Sequence, residues 1–246
     1  MTEFHCVLQS KGGVGKSVVS SWFLQYLSSR GPRPLAFECD PANETLTRYN
    51  GLRTTRLDLL DREDQIDRGL FDEVLEILLG DEEPIVLMDN GQAAFLPLAR
   101  YLIESDAVDM LEKHGRRTVI HTVVTGGQSG VSTLQGLSAV LEQVDGRCPI
   151  VVWQNEHFGP VDTKVLETLS EPHRDRLVGP IRLPERGKPF EDNVRAMLQK
   201  FLTFEEAIAS AEFRVMQKQR LTIVRRQLFE EIADAFRAYD NATAAD

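Results

Sequence analysis

Cysteine is scarce in this chain, and its shortage excludes whole classes of protein. Cys6, Cys39 and Cys148 are the only three in 246 residues, an odd number, widely spaced and without a C-x-x-C pair. A disulfide framework and a zinc ribbon are therefore excluded. Cys6 and Cys39 fall inside apolar runs, where a thiol acts as a small buried apolar group. Long hydrophobic runs are missing too: none approaches the roughly 20 residues that cross a bilayer. Nothing near Met1 reads as a signal peptide, so a cytoplasmic protein is expected and a membrane partner is not. Positive charge is short as well. The 28 Lys and Arg face 38 Asp and Glu for a net charge of −10, so no global basic field draws in nucleic acid or anionic lipid. Repeats, low-complexity segments and linkers are also lacking, and 42% hydrophobic residues can fill one substantial core. One domain spanning 1–246 is expected.

What is present is an alternation of short apolar runs with longer helical segments. That pattern predicts a doubly wound α/β fold, a mostly parallel sheet flanked by helices. The runs are HCVLQ (5–9), PLAFEC (34–39), PIVLMD (84–89), RTVIHTVV (117–124), CPIVVWQ (148–154) and LVGPIRL (177–183). They are apolar almost throughout, as in strands buried on both faces. RLDLL (56–60) is a weaker seventh candidate. Helices are expected over 16–29, 71–79, 95–114 and 131–144, the first stopped by Gly31-Pro32. From Pro189 onward no strand is expected. Thr203 to Glu206 has the form of a capping box, and 213–239 reads as one long helix before a frayed NATAAD end.

The chemistry concentrates at SKGGVGKS, Ser10 to Ser17. The usual phosphate loop is G-x-x-x-x-G-K-[ST]. Gly15, Lys16 and Ser17 fit it, Ser10 stands in place of the first glycine, and a second lysine, Lys11, follows. Glycines let backbone N–H groups turn toward phosphate oxygens, and the helix that follows presents its N-terminus to the anion. Gly12, Gly13, Val14, Gly15, Lys16, Ser17 and Val18 are thus expected to wrap a nucleotide's phosphates. Lys16 would reach the β and γ oxygens, and the Ser17 hydroxyl would ligate Mg²⁺.

K-G-G-x-G-K-[ST] resembles the deviant Walker A motif of the ParA/MinD-type ATPases. The resemblance implies a P-loop NTPase fold and ATP with Mg²⁺ as ligands. It further implies that Lys11 reaches across a nucleotide-sandwich homodimer to the phosphates of the other subunit. A cation supplied there would stabilise charge on the transferring phosphoryl group. Two aspartates end predicted strands, where ligands collect in open α/β sheets. Asp40, followed by Pro41-Ala42-Asn43, resembles the family's first switch and is expected near the metal, orienting or activating water. Asp89 resembles the Walker B aspartate that holds Mg²⁺. Either residue alone would also suit a plain turn or helix cap. Asp89-Asn90-Gly91-Gln92 departs from the family's usual D-x-P, which puts the second switch in question. By the same resemblance Asn155, after the sixth strand, and Pro184 contact adenine. The Asn155 amide can pair with a base edge, and an ordinary strand-end turn is the alternative.

The strings VLQSKGGVGKS, VIHTVVTGGQSG and MQKQRLTIVRRQLFE, with MDNG and YLIES, narrow the resemblance to ParA-like ATPases encoded in plasmid conjugal-transfer regions. It implies an accessory role beside the conjugation machinery in positioning or assembly; slow hydrolysis is expected because no base better placed than an aspartate, weakly basic at neutral pH, is present. Thr125 to Gly130, TGGQSG, reads as a tight bend into the next helix, with a partner surface as the functional alternative. The last long helix places Phe213, Met216, Leu221, Val224, Leu228, Ile232 and Phe236 on one apolar face. Arg214, Lys218, Arg220, Arg225 and Arg226 make its first half basic, which leaves DNA contact as a secondary option. A plasmid-partition ATPase that binds DNA, or a scaffold that binds nucleotide without hydrolysing it, are the rival readings. An iron–sulfur reductase of the nitrogenase type would need cysteines at a dimer axis, and these lie mostly within strands.

Overall fold

The computed structural model describes residues 2–40, 44–60, 65–80, 85–144 and 146–244. Seven strands form one parallel sheet among them, in the order β3-β2-β4-β1-β5-β6-β7. They are β1 Thr2–Val7, β2 Leu35–Cys39, β3 Thr54–Arg56, β4 Ile85–Asn90, β5 Arg116–Thr125, β6 Ile150–Asn155 and β7 Leu177–Leu183. The helices are α1 Lys16–Ser28, α2 Arg68–Leu79, α3 Phe95–Glu104, α4 Ala107–Lys113, α5 Gly130–Gln143, α6 Thr163–Ser170, α7 Lys188–Gln199, α8 Phe204–Ala209 and α9 Val215–Thr243.

Strand alternation sends successive side chains into two separate cores. From β1 and the residue after it, Phe4, Cys6 and Leu8 pack with Phe71, Leu98, Leu111 and Leu137 of α2 to α5. Val7 packs on the opposite face with Phe23, Met197, Phe204 and Leu221 of α1, α7, α8 and α9. Burial on both faces is why these strands read as unbroken apolar runs. All three cysteines are buried, and none forms a disulfide among the described residues.

Several boundaries differ from expectation. The segment 95–114 is two helices, broken where Asp106 takes a left-handed φ of 50°. The seventh strand sits at Thr54–Arg56 rather than 56–60, while Leu60 makes an isolated bridge to Ile66. Helix α7 had no clear sequence signal, because Lys188-Pro189 reads as a breaker; a proline in the first turn is tolerated, since its missing N–H has no intrahelical partner there anyway. Helix α9 continues to Thr243, so Asn241 to Thr243 of NATAAD are helical. Its buried face is Leu221, Val224, Leu228 and Ile232, whereas Met216 is 60% exposed and does not belong to it. Phe236 stacks on Phe23, with ring centroids 5.7 Å apart, and helps dock α9 against α1. The Thr203–Glu206 capping box forms as expected. No helix among the described residues is long and apolar enough to cross a membrane.

A buried polar chain crosses the sheet beneath α1. The Trp153 indole N–H donates to His121 Nδ1 (3.0 Å), which places the neutral ring's proton on Nε2. Nε2 then donates to His5 Nδ1 (2.9 Å), and His5 Nε2 donates to Glu3 (3.2 Å). Burial, with His5 beside it, holds the pKa of His121 well below the usual histidine value. Glu3 also pairs with Arg117, which in turn reaches Asp240 of α9 (3.1 Å). Burial raises the Glu3 pKa, but His5 and Arg117 outweigh it and bring the carboxyl down to about 2. A depressed carboxylate stabilises the fold above its unfolded pKa, near 4.5, and loses that stabilisation as pH falls toward 2. Chemical denaturation at pH 5 and pH 2.5 will show Glu3→Gln losing about 2–3 kcal/mol less than the wild type on acidification. Equal losses would show that Glu3 does not carry this dependence.

Candidate nucleotide-binding site

The carboxyl ends of β1, β2, β4 and β6 converge on the loop between β1 and α1. Gly13 and Gly15 have φ of 73° and 102°, left-handed values that suit glycine and let the loop curl back on itself. Gly15 is the N-cap of α1, and no side chain caps that end, so the first-turn N–H groups are available to an anion. The loop is anchored by Gln9, which is 1% exposed. Gln9 Nε2 donates to Val123 O (2.7 Å), and Oε1 accepts from Lys11 N and Ser10 Oγ, both at 3.3 Å. Ser10 therefore replaces glycine at a position that faces solvent and bonds back to the anchor. A methyl group on Gly136 of α5 would lie 1.8 Å from Gln9 Oε1, so that glycine makes room for it.

Lys16 is 7% exposed and donates from Nζ to Lys11 O (3.4 Å). Burial lowers its pKa, and the nearby Asp89 and Asp40 oppose that shift. Lys11 itself is exposed. Asp89 is 1% exposed, and its Oδ1 accepts from Ser20 Oγ (2.9 Å). Burial raises the Asp89 carboxyl to about 6, against the opposing pull of Ser17, Ser20 and Lys16. Its Oδ2 is buried with no hydrogen-bond partner among the described residues. Such an orphaned anionic oxygen next to the Ser17 hydroxyl fits a hard cation with oxygen ligands. Among the described residues no three His, Cys, Asp or Glu side chains converge as a metal cluster, so Mg²⁺ here would depend on Ser17, carboxylate and phosphate oxygens.

Asp40 lies just past β2, half-buried, with Gly91 against it: a methyl group on Gly91 would come within 3.0 Å of Asp40 Cγ. Pro41, Ala42 and Asn43 lie outside the described residues. Beyond them Glu38 pins the chain, accepting from Thr45 N, from Leu46 N (2.8 Å), from Thr47 N (3.0 Å) and from Thr47 Oγ1 (2.6 Å).

Asn155 does not point its amide into open space. Nδ2 donates to Val14 O (3.0 Å) and Oδ1 accepts from His157 N (3.2 Å), so the side chain ties the end of β6 to the phosphate loop. Pro184 is exposed on the wall of a cleft of about 950 Å³ that runs from Gly13 and Gly15 past Val18 and Asn155 to Trp22 and Leu228. The TGGQSG stretch is a close-packed bend. A methyl on Gly126 would sit 2.2 Å from Pro160 O, and one on Gly127 2.2 Å from Phe158 O, so the glycines allow two loops to touch. Gln9, Gly136, Ser20 and Glu38 escaped the sequence reading because their partners are distant in the chain; a buried Gln straight after a strand was the one available signal.

Residues 6–167 match the CobQ/CobB/MinD/ParA nucleotide binding domain. Protein TraL of Escherichia coli is 36% identical over 240 residues, covering 96% of this chain and 99% of its own length. A second TraL from the same species is 36% identical over 241 residues, covering 94% and 98%. Among solved structures, a chain of the MinC:MinD cell division protein complex of Aquifex aeolicus superposes with a TM-score of 0.51 at 19% identity, covering 93% of this chain and 96% of that one. MinD of the same organism gives a TM-score of 0.50 at 16% identity, covering 93% and 97%. At these identities the structural matches establish the fold, that of the MinD/ParA P-loop NTPases. The family match and the near full-length identity carry the rest: the chain belongs to the CobQ/CobB/MinD/ParA nucleotide-binding family and, within it, to the TraL proteins.

Proposed function

We propose that this chain is an ATP-driven switch of plasmid conjugal transfer, binding ATP with Mg²⁺, pairing with a second copy and hydrolysing ATP slowly. The observation that carries this reading is the buried Lys16 beside Asp89, whose Oδ2 lacks a partner, at the base of a glycine loop that opens a helix. In this reading the N–H groups of Gly12 to Ser17 surround the phosphates, and Lys16 neutralises their β and γ oxygens. Ser17 and Asp89 would hold Mg²⁺, with Asp40 near it, and the chemistry the ion would supply there is charge neutralisation at the γ-phosphate. Val18 and Pro184 line the cleft beside the base. Asn155 fixes the loop that faces the base, and with one Nδ2 proton on Val14 O its second N–H is the donor left for adenine. Asp40 orients water, and turnover is slow because an aspartate is a weak base at neutral pH. The chain acts as one unit over 1–246, because α9 docks on the same sheet that carries the loop. The conjugal role rests on membership of the TraL proteins.

Lys11 projects into solvent from the rim of the loop, as a residue serving a second subunit would. The test is oligomeric size without nucleotide, with ADP and with a non-hydrolysable ATP analogue. The wild type will be dimeric with the analogue alone. Lys11→Ala will remain monomeric in all three conditions while its affinity for the analogue in the monomer changes less than about 3-fold. A wild type that stays monomeric throughout would overturn the paired switch.

A further inference from the structure

Three residues past Asp89 the chain places an exposed amide directly over the phosphate loop. Gln92 is exposed, whereas Gly91, Ala94 and Phe95 around it are buried. A methyl group on Gly12 would come within 2.8 Å of Gln92 Oε1, so the side chain occupies the space above Gly12. Its backbone is held by the turn that starts α3, with Phe95 N donating to Gln92 O (3.4 Å). On the near side, Gly91 packs on Asp40. Asp40 thus packs on the glycine that precedes Gln92, next to the loop that carries Lys16.

We infer that Gln92 orients the attacking water, an inference that rests on the ATP-hydrolysing reading above and adds a catalytic residue to it. The chemistry of an amide suits this place. It carries an acceptor and two donors, so it can accept from the water with Oε1 and donate to a γ-phosphate oxygen with Nε2. It cannot take a proton, so it aligns the water without acting as a base, a role glutamine plays in other P-loop enzymes. The water oxygen forms the new bond to the γ-phosphorus as the bond to the β–γ bridging oxygen breaks. ADP keeps that electron pair, and both protons of the water leave with the phosphate, one on the new P–OH and one passed to a γ-phosphate oxygen. The sequence Asp89-Asn90-Gly91-Gln92 is therefore a change of equipment in the second switch: a glycine that lets Asp40 pack close, followed by a water-holding amide.

The experiment compares steady-state phosphate release and binding of a fluorescent non-hydrolysable ATP analogue in full-length wild type, Gln92→Ala, Gly12→Ala and Lys16→Ala. Gln92→Ala is expected to lose about 100-fold in kcat, the scale of a misplaced reactant, with analogue affinity and KM changed less than 3-fold. Gly12→Ala, which forces Gln92 off the loop, is expected to lose hydrolysis in the same way. Phosphate release by Gln92→Ala within 3-fold of wild type would overturn the inference and leave the switch reading standing. An equal loss of analogue binding would mark a structural role and overturn it too. A wild type no faster than Lys16→Ala would overturn the hydrolytic reading itself, and the inference with it.

Discussion

Lys16→Ala will abolish nucleotide binding while the protein stays folded. The ammonium sits 7% exposed beside Asp89 and Asp40, and burial already holds its pKa below the ordinary lysine value. Removing it has two opposing effects on folding without nucleotide. It relieves the desolvation of a buried cation, and it takes away a charge that helps Asp89 stay ionised. Asp89 meets the second effect by taking up a proton, since its carboxyl already lies at about 6. The folding midpoint in denaturant is therefore expected to move little, by roughly 1 kcal/mol or less on the scale of surface and compensated changes. No such compensation exists once phosphates arrive. Their negative charge would meet a carboxylate without the intervening cation, and charge-assisted hydrogen bonds to the β and γ oxygens would be lost. The expected loss is at least about 100-fold in affinity for ATP, about 3 kcal/mol. Titration with a fluorescent ATP analogue, alongside a denaturation curve, checks both halves. Near-normal binding by a folded Lys16→Ala would remove the buried lysine from the site.

That asymmetry between local and distant partners also explains how much of this molecule was legible in its sequence. Six strands stood out because their residues are apolar almost throughout: five lie inside the sheet and are buried nearly end to end, and β7, at the far edge and exposed at Gly179, Pro180 and Arg182, still reads as an apolar run. β3 did not, because its residues Thr54, Thr55 and Arg56 lie at the sheet edge and are largely exposed. The break between α3 and α4 was hidden because Asp106 supplies a left-handed turn without a glycine. Helix α7 was hidden by the proline in its first turn. In the site, the phosphate loop was legible because its glycines, lysine and serine are contiguous. The aspartates at 40 and 89 were legible because each ends an apolar run. What holds these pieces in place was not. Gln9 meets Gly136, Asn155 meets Val14 and Gln92 meets Gly12 only after the sheet has brought distant segments together.

Gly126→Ala will destabilise the fold more than a methyl group ordinarily does. The backbone at Gly126, with φ of −88° and ψ of −164°, is extended and open to any residue, so conformational strain is not the reason. The reason is contact: the added carbon would lie 2.2 Å from Pro160 O and 2.3 Å from Gly159 O. Both obstacles are main chain. At Gly12 the obstacle is the end of the exposed Gln92 side chain, which can swing aside, and the fold survives with a displaced group. At Gly126 one of two loops must move, and the one that follows β6 includes His157, whose N–H is held by Asn155. The expected cost is about 3 kcal/mol or more, at the upper end of overpacking. Part of it will appear as weaker nucleotide binding, because shifting that loop pulls Asn155 away from Val14 O and slackens the phosphate loop. Gly31→Ala is the matched control, since nothing lies within 4 Å of its added carbon; its midpoint in denaturant is expected to stay within about 0.5 kcal/mol of wild type. A Gly126→Ala midpoint within 1 kcal/mol of that control would mean that the two loops are free to separate. TGGQSG would then be a simple bend, with no hold on the nucleotide.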